Sequence, residues 1–144
     1  MGATNGEEHI MPRFLLLQNY EGGAGCTVPM SNWAPEDIQA HVAFQQALND
    51  ELTDKGEFVD AQGLAGPDMA KFVTSDGVRV PVVTDGPFPE SKELLAGYRM
   101  IDVDSEKRAI EIAAQASAAP GPSGVPIQQP IEVRQVMGPP SADL

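Results

Sequence analysis

The chain has one cysteine, Cys26, and two histidines, His9 and His41. A lone cysteine excludes an intrachain disulfide, and with no secretory signal it fits a reducing, cytoplasmic setting. Two histidines without ligand spacing between them offer no metal site. Basic residues are scarce as well: nine Lys and Arg stand against 21 Asp and Glu, a formal net charge of -12. They are scattered along the chain rather than blocked together. Nucleic-acid binding needs a basic patch that displaces counterions, so that class is excluded. An anionic membrane surface is excluded on the same ground. No apolar run approaches the length of a membrane-spanning helix.

What remains is one domain of 144 residues, long enough for one proper core. Residues 1–11 are polar, acidic and aperiodic, and they read as a leader. Residues 138–144 read as a disordered tail. The ordered domain is expected over 12–137. Phe14 to Gln18 is a short apolar run and predicts a strand buried on both faces. Pro35 sits at a helix start, with Glu36 and Asp37 at the positive end of the macrodipole. That helix is expected to run to about Asp54, with Gly56 as its stop. Its start lacks a Ser or Thr cap, which weakens it slightly.

Phe58 to Leu64 predicts the next strand. Lys71–Thr74 and Val78–Val83 flank Asp76-Gly77, a hairpin-turn signal, and Pro81 confines the second arm to an edge. Tyr98 to Val103 alternates as a strand. Asp104 is the expected cap of a second helix, Glu106 to about Ala118, which Pro120-Gly121-Pro122 ends. Ile131 to Val136 is the last strand. The order implies an α+β fold: a ferredoxin-like, split βαβ sheet with an extra hairpin arm and both helices on one face. The other face would then be bare, which is a physical reason to expect a homodimer.

On the first helix, Ile38, His41, Val42, Gln45, Leu48 and Leu52 share one face. His41 and Gln45 stand inside that apolar stripe, where a polar group must be hydrogen-bonded or face a cavity. A satisfied core histidine and a pocket-facing histidine are level alternatives. Asp85 opens Asp-Gly-Pro, which reads either as a turn or as a carboxylate held by a stiff loop at a strand end. Glu90, Lys92 and Glu93 read first as a solvated charged turn. The glycine-rich loop Glu21 to Thr27 lacks the endings of a P-loop and of the dinucleotide fingerprint, so no cofactor is expected there. Cys26 has no local signature of a nucleophile.

The segment Thr84-Asp85-Gly86-Pro87-Phe88-Pro89-Glu90-Ser91-Lys92-Glu93 closely resembles the signature of the DGPF-domain branch of the YCII-related proteins. The opening strand Arg13-Phe14-Leu15-Leu16-Leu17, the helix segment His41-Val42-Ala43-Phe44 and the pair Gly97-Tyr98 fit the same family, and the resemblance covers residues 12–137. It implies a ferredoxin-like α+β fold that dimerises as an α/β barrel. It also implies a histidine and aspartate pair as catalytic residues, here His41 by motif and Asp85 more loosely. Tyr20, Gln45, Phe88, Glu93 and Tyr98 are the candidates to line the ligand site around that pair. Many bacterial relatives are encoded beside extracytoplasmic-function sigma factors, which implies such a factor as a partner. The expected function is therefore a small-molecule pocket enzyme using His41 and Asp85 as an acid–base pair. The rivals are a non-catalytic ligand-binding or regulatory protein and a purely structural dimer.

Overall fold

The computed structural model describes residues 11–19, 28, 30–85 and 95–139. Among the described residues, six strands and two α-helices make up the framework: β1 (Arg13–Asn19), α1 (Pro35–Asp54), β2 (Phe58–Gly63), β3 (Lys71–Thr74), β4 (Val82–Asp85), β5 (Leu95–Asp102), α2 (Glu106–Ser117) and β6 (Ile131–Gln135). Four strands form one antiparallel sheet in the order β2-β5-β1-β6, and β3 and β4 form a separate two-stranded ribbon. Each βαβ unit is thus split by a strand of the other: β5 lies between β1 and β2, and β1 lies between β5 and β6. Among the described residues, no helix is long and apolar enough to cross a membrane.

Both helices pack on one face of this sheet. Phe14 and Leu16 of β1 and Ile101 of β5 meet Leu48 and Leu52 of α1 and Ala109, Ile112, Ala113 and Ala116 of α2. Leu52, Ile101 and Ile112 have no accessible surface, so truncating any of them to alanine would cost about 2–5 kcal/mol. Phe44, Phe58, Ile131 and Val133 extend this core at its margins. The opposite face carries the alternate residues: Leu15, Leu17, Tyr98 and Met100 are half-exposed there. Within a single chain the helices cover only one side of β1, so the expectation of a strand buried on both faces is corrected to one covered face there.

Helix α1 starts and stops where the sequence indicates. Ala34 gives it no side-chain cap, and Pro35 supplies a pre-set first residue with Glu36 and Asp37 following. Gly56 ends it with φ +72, a left-handed conformation that glycine adopts without a Cβ penalty. Val42, expected on the apolar stripe, is exposed instead, while Phe44 packs against the core. The inward face is thus rotated toward His41, Phe44, Gln45 and Leu48. The cap of α2 also differs from expectation. Ser105, not Asp104, is the N-cap, and its Oγ accepts from the Arg108 N–H at 3.1 Å.

The hairpin turn is longer than Asp76-Gly77 implies. The register pairs Thr74 with Val82, so the connection runs from Ser75 to Pro81. Asp76 is the reason on one side: its Oδ1 accepts from the N–H groups of Val78 and Arg79 at 2.9 and 2.8 Å. Those bonds, the Arg79 one foremost, hold the Asp76 carboxyl below its ordinary value. Pro81 is the reason on the other, since it has no N–H to give a ladder.

Candidate functional site

Strand β5 alternates, and its parity decides what lies under α1. Ile101 and Val103 face the helices, so Arg99 does too, and it is only 5% exposed. Its neighbours across the sheet are Leu16 on β1 and Ala61 on β2. Its hydrogen-bond acceptors lie overhead on α1. Arg99 Nε donates to Asn49 Oδ1 at 2.8 Å, and Nη2 donates to Gln45 Oε1 at 2.7 Å. Gln45 and Asn49 are four residues apart, one helical turn, so both amides reach the same guanidinium. Burial lowers the pKa of Arg99.

Gln45 passes this polarity on. Its Oε1 faces the cation, so its Nε2 faces outward along the helix, where it lies 3.4 Å from Nε2 of His41. An amide N–H donates, so that imidazole nitrogen accepts. The other ring nitrogen, Nδ1, is then the protonated one, and it donates to the Pro120 carbonyl at 3.0 Å. One chain of bonds therefore runs from Arg99 through Gln45 to His41 and sets the imidazole tautomer. The ring stands edge-on to Trp33, with centroids 5.5 Å apart.

The turn that presents Pro120 is built for close approach. Gly121 N–H donates to Val125 O at 2.7 Å, and Ile127 N–H donates to Ala119 O at 2.9 Å. A Cβ on Gly121 would stand 2.6 Å from Ile127 Cγ2 and 3.6 Å from Trp33 Cη2, so only glycine lets those side chains close on the turn. Ser123 N–H donates to Asp37 Oδ1 at 3.3 Å and ties the turn to the start of α1. Trp33 is fixed in turn by Nε1 donating to Val28 O at 2.9 Å.

Of the residues singled out in the sequence, the structure brings His41 and Gln45 together. Asp85 ends β4 in the two-stranded ribbon. Its carboxylate accepts from Lys71 Nζ at 2.6 Å, with the Asp85 side chain 78% exposed. Tyr98 has the opposite parity to Arg99, so it lies on the open face of the sheet, where its hydroxyl donates to Asp60 Oδ2 at 3.1 Å. That carboxylate raises the pKa of Tyr98. Tyr20, Phe88 and Glu93 lie outside the described residues, as do Cys26 and the glycine-rich loop.

Two residues were missed from sequence. Arg99 was hidden in a strand read for its alternation, yet it shares the parity of Ile101 and Val103, which marks it as a core-side cation. Asn49 continues the His41, Gln45 spacing by one more turn. The shallow depressions among the described residues include one lined by Leu64 to Pro67, Met69, Ala70 and Leu95, and another between the helices at Phe44, Leu48 and Gln115. Neither includes His41 or Asp85. Among the described residues, no cluster of three His, Cys, Asp or Glu side chains could hold a metal ion.

These features define an α+β domain of two interleaved βαβ units, with a histidine-ended polar chain beneath its first helix. The chain belongs to the YCII-related family, whose domain model matches residues 14–125. The match ends before β6, the strand that completes the sheet. A search against curated proteins returned no match.

Proposed function

We propose that the protein is a small-molecule enzyme in which His41 moves a proton, with Nε2 as the working atom. The observation that carries this reading is the Nδ1–H bond to Pro120 O at 3.0 Å. It holds the ring in one tautomer and leaves the lone pair on Nε2, the arrangement a general base requires. The bond from Gln45 to that lone pair is long, at 3.4 Å, so a substrate X–H group would replace it at little cost. Asp85 is the proposed acid partner. Its pairing with Lys71 is between exposed side chains and is worth under about 1 kcal/mol, a weak competitor for the carboxylate.

The protein would act as a homodimer, closing two sheets face to face into a barrel. The half-exposed Leu15, Leu17 and Met100 of the open face support that reading, as do Val73, Val82 and Val83 of the ribbon, each about three-fifths exposed. An association with a sigma factor belongs to the same proposal and rests on the family resemblance alone.

A test uses proton exchange. The chain is incubated in deuterated water with a mixed set of small metabolites, and deuterium uptake is followed by NMR. Uptake into at least one compound with the wild-type chain, and none with His41→Gln, is the expected result. A second reading, a non-catalytic binding module, is favoured by the fact that both ring nitrogens already have partners. A ligand that raises the Tm without any exchange would establish that reading instead.

A further inference from the structure

The five arginines differ in one respect. Arg13 donates to Asp102, Arg108 to Glu57 and Glu111, and Arg79 and Arg134 each lie 3.8 Å from a carboxylate, of Asp76 and Glu132. All four are more exposed than Arg99, which is 5% exposed. Arg99, the most buried, meets no carboxylate among the described residues. Its hydrogen-bond partners are two neutral amides, Asn49 and Gln45, and its strand neighbours are Leu16 and Ala61. In a chain of formal net charge -12 this is not a shortage of anions. A buried cation is ordinarily paired, because desolvation of an isolated charge is costly.

The two bonds also have a direction. They use Nε and Nη2, the flank of the guanidinium that faces α1. The end of the fork, formed by Nη1 and the second Nη2 proton, is left over. Among the described residues, no wholly buried side-chain nitrogen or oxygen lacks a partner, so Nη1 is not wholly buried and shares in the accessible 5% of the residue. An end-on fork is the geometry that grips a carboxylate with two parallel bonds.

The geometry points to Arg99 as the seat for the carboxylate of a small organic acid, held one glutamine side chain away from His41 Nε2. This rests on the proposed role of His41 and names the substrate class for it. A compact carboxylate on Arg99 would extend past Gln45 toward His41, so the proton that His41 takes lies a few bonds from the carboxyl group. Gln45 then has a positioning role: its amide is oriented by Arg99 and faces His41. A single guanidinium end matches a planar carboxylate better than a phosphate, which usually draws several donors.

The test is an NMR titration of the full chain, following the arginine side-chain nitrogens, with sodium acetate as probe and sodium chloride at equal ionic strength as control. Acetate is expected to move the Arg99 Nη signals and raise the Tm, with chloride doing neither. Arg99→Gln should abolish the Tm response to acetate, and His41→Gln should retain it. The wild-type titration decides the matter even if Arg99→Gln fails to fold. No movement of Arg99 with acetate, or movement only with inorganic phosphate, overturns the proposal. So does an Arg99 signal that ignores acetate but shifts in Glu21→Gln, Glu90→Gln or Glu93→Gln, because the chain would then supply its own carboxylate. Loss of proton exchange in His41→Gln with the acetate response intact leaves both readings standing. Exchange that persists in His41→Gln removes the His41 role and leaves the anion seat in place.

Discussion

Arg99 donates from Nη2 to Gln45 Oε1 at 2.7 Å, and this bond dictates what Gln45 can offer His41. With its oxygen committed to a cation, the amide presents N–H to the ring. The buried charge thus orients the amide that faces the ring, in agreement with the tautomer that the Pro120 carbonyl holds.

Gln45→Leu should show how much that bond contributes. It leaves a guanidinium N–H without its acceptor in a buried place, at a cost of about 1–3 kcal/mol. Urea unfolding measures it. Gln45→Glu should be better tolerated, since it keeps an acceptor and adds a charge that Arg99 lacks among the described residues. Equal stability of Gln45→Leu and wild type would mean that water reaches Arg99 freely.

Arg108 and Glu57 join the start of α2 to the residue before β2 by two parallel bonds of 2.9 Å. Their side chains are 21% and 13% exposed. The Glu57 bond foremost holds the Arg108 pKa above its ordinary value. Glu57→Ala should cost about 1.5–3 kcal/mol, more than an exposed pair would. A double-mutant cycle with Arg108→Met measures the coupling, and a value near zero would reduce this pair to surface decoration.

Tyr98 should ionise late. Its hydroxyl donates to Asp60, and a carboxylate acceptor favours the protonated phenol, so its pKa lies above the ordinary tyrosine value. For a raised pKa the stabilising contribution is complete below the unfolded value and is lost as pH rises through the folded one. Ultraviolet titration should therefore find a tyrosine transition above that of the unfolded chain. Asp60→Ala should return it toward the ordinary tyrosine value. An unshifted wild-type transition would contradict the bond.

The oligomeric state can be read by sedimentation. A homodimer should give about twice the chain mass of 15.3 kDa at micromolar concentration. Leu15→Glu, on the open sheet face, should yield monomers that keep their helical circular dichroism. A wild-type chain that sediments as a monomer would mean that the face stays bare.

Element types were legible because each rests on a local rule. Pro35 and Gly56 bracket α1 by backbone preference alone, and α2 ends before Pro120-Gly121-Pro122 for the same reason. The alternation in β5 was legible too, and with it the side to which Arg99 turns, had its parity been followed. The hairpin register was not, because the choice between a two-residue turn and a seven-residue one lay with the Asp76 carboxylate and the missing N–H of Pro81 acting together. Likewise the stripe on α1 admitted both Val42 and Phe44, and the packing of α1 on the sheet chose Phe44.

By itself, the sequence determined the two βαβ units, the helix limits, and the presence of His41 and Gln45 on the face of α1 that turns inward. These follow from periods of two and 3.6 and from the fixed geometry of proline and glycine. Only the tertiary structure decided that Arg99 lies beneath that helix, that Pro120 closes on His41, and that Asp60 receives the Tyr98 hydroxyl. Those pairings join residues between 54 and 79 positions apart in the first two cases. Nothing local in the chain encodes such a contact, because it exists only once the sheet order has placed β5 under α1 and brought the turn after α2 back to its side.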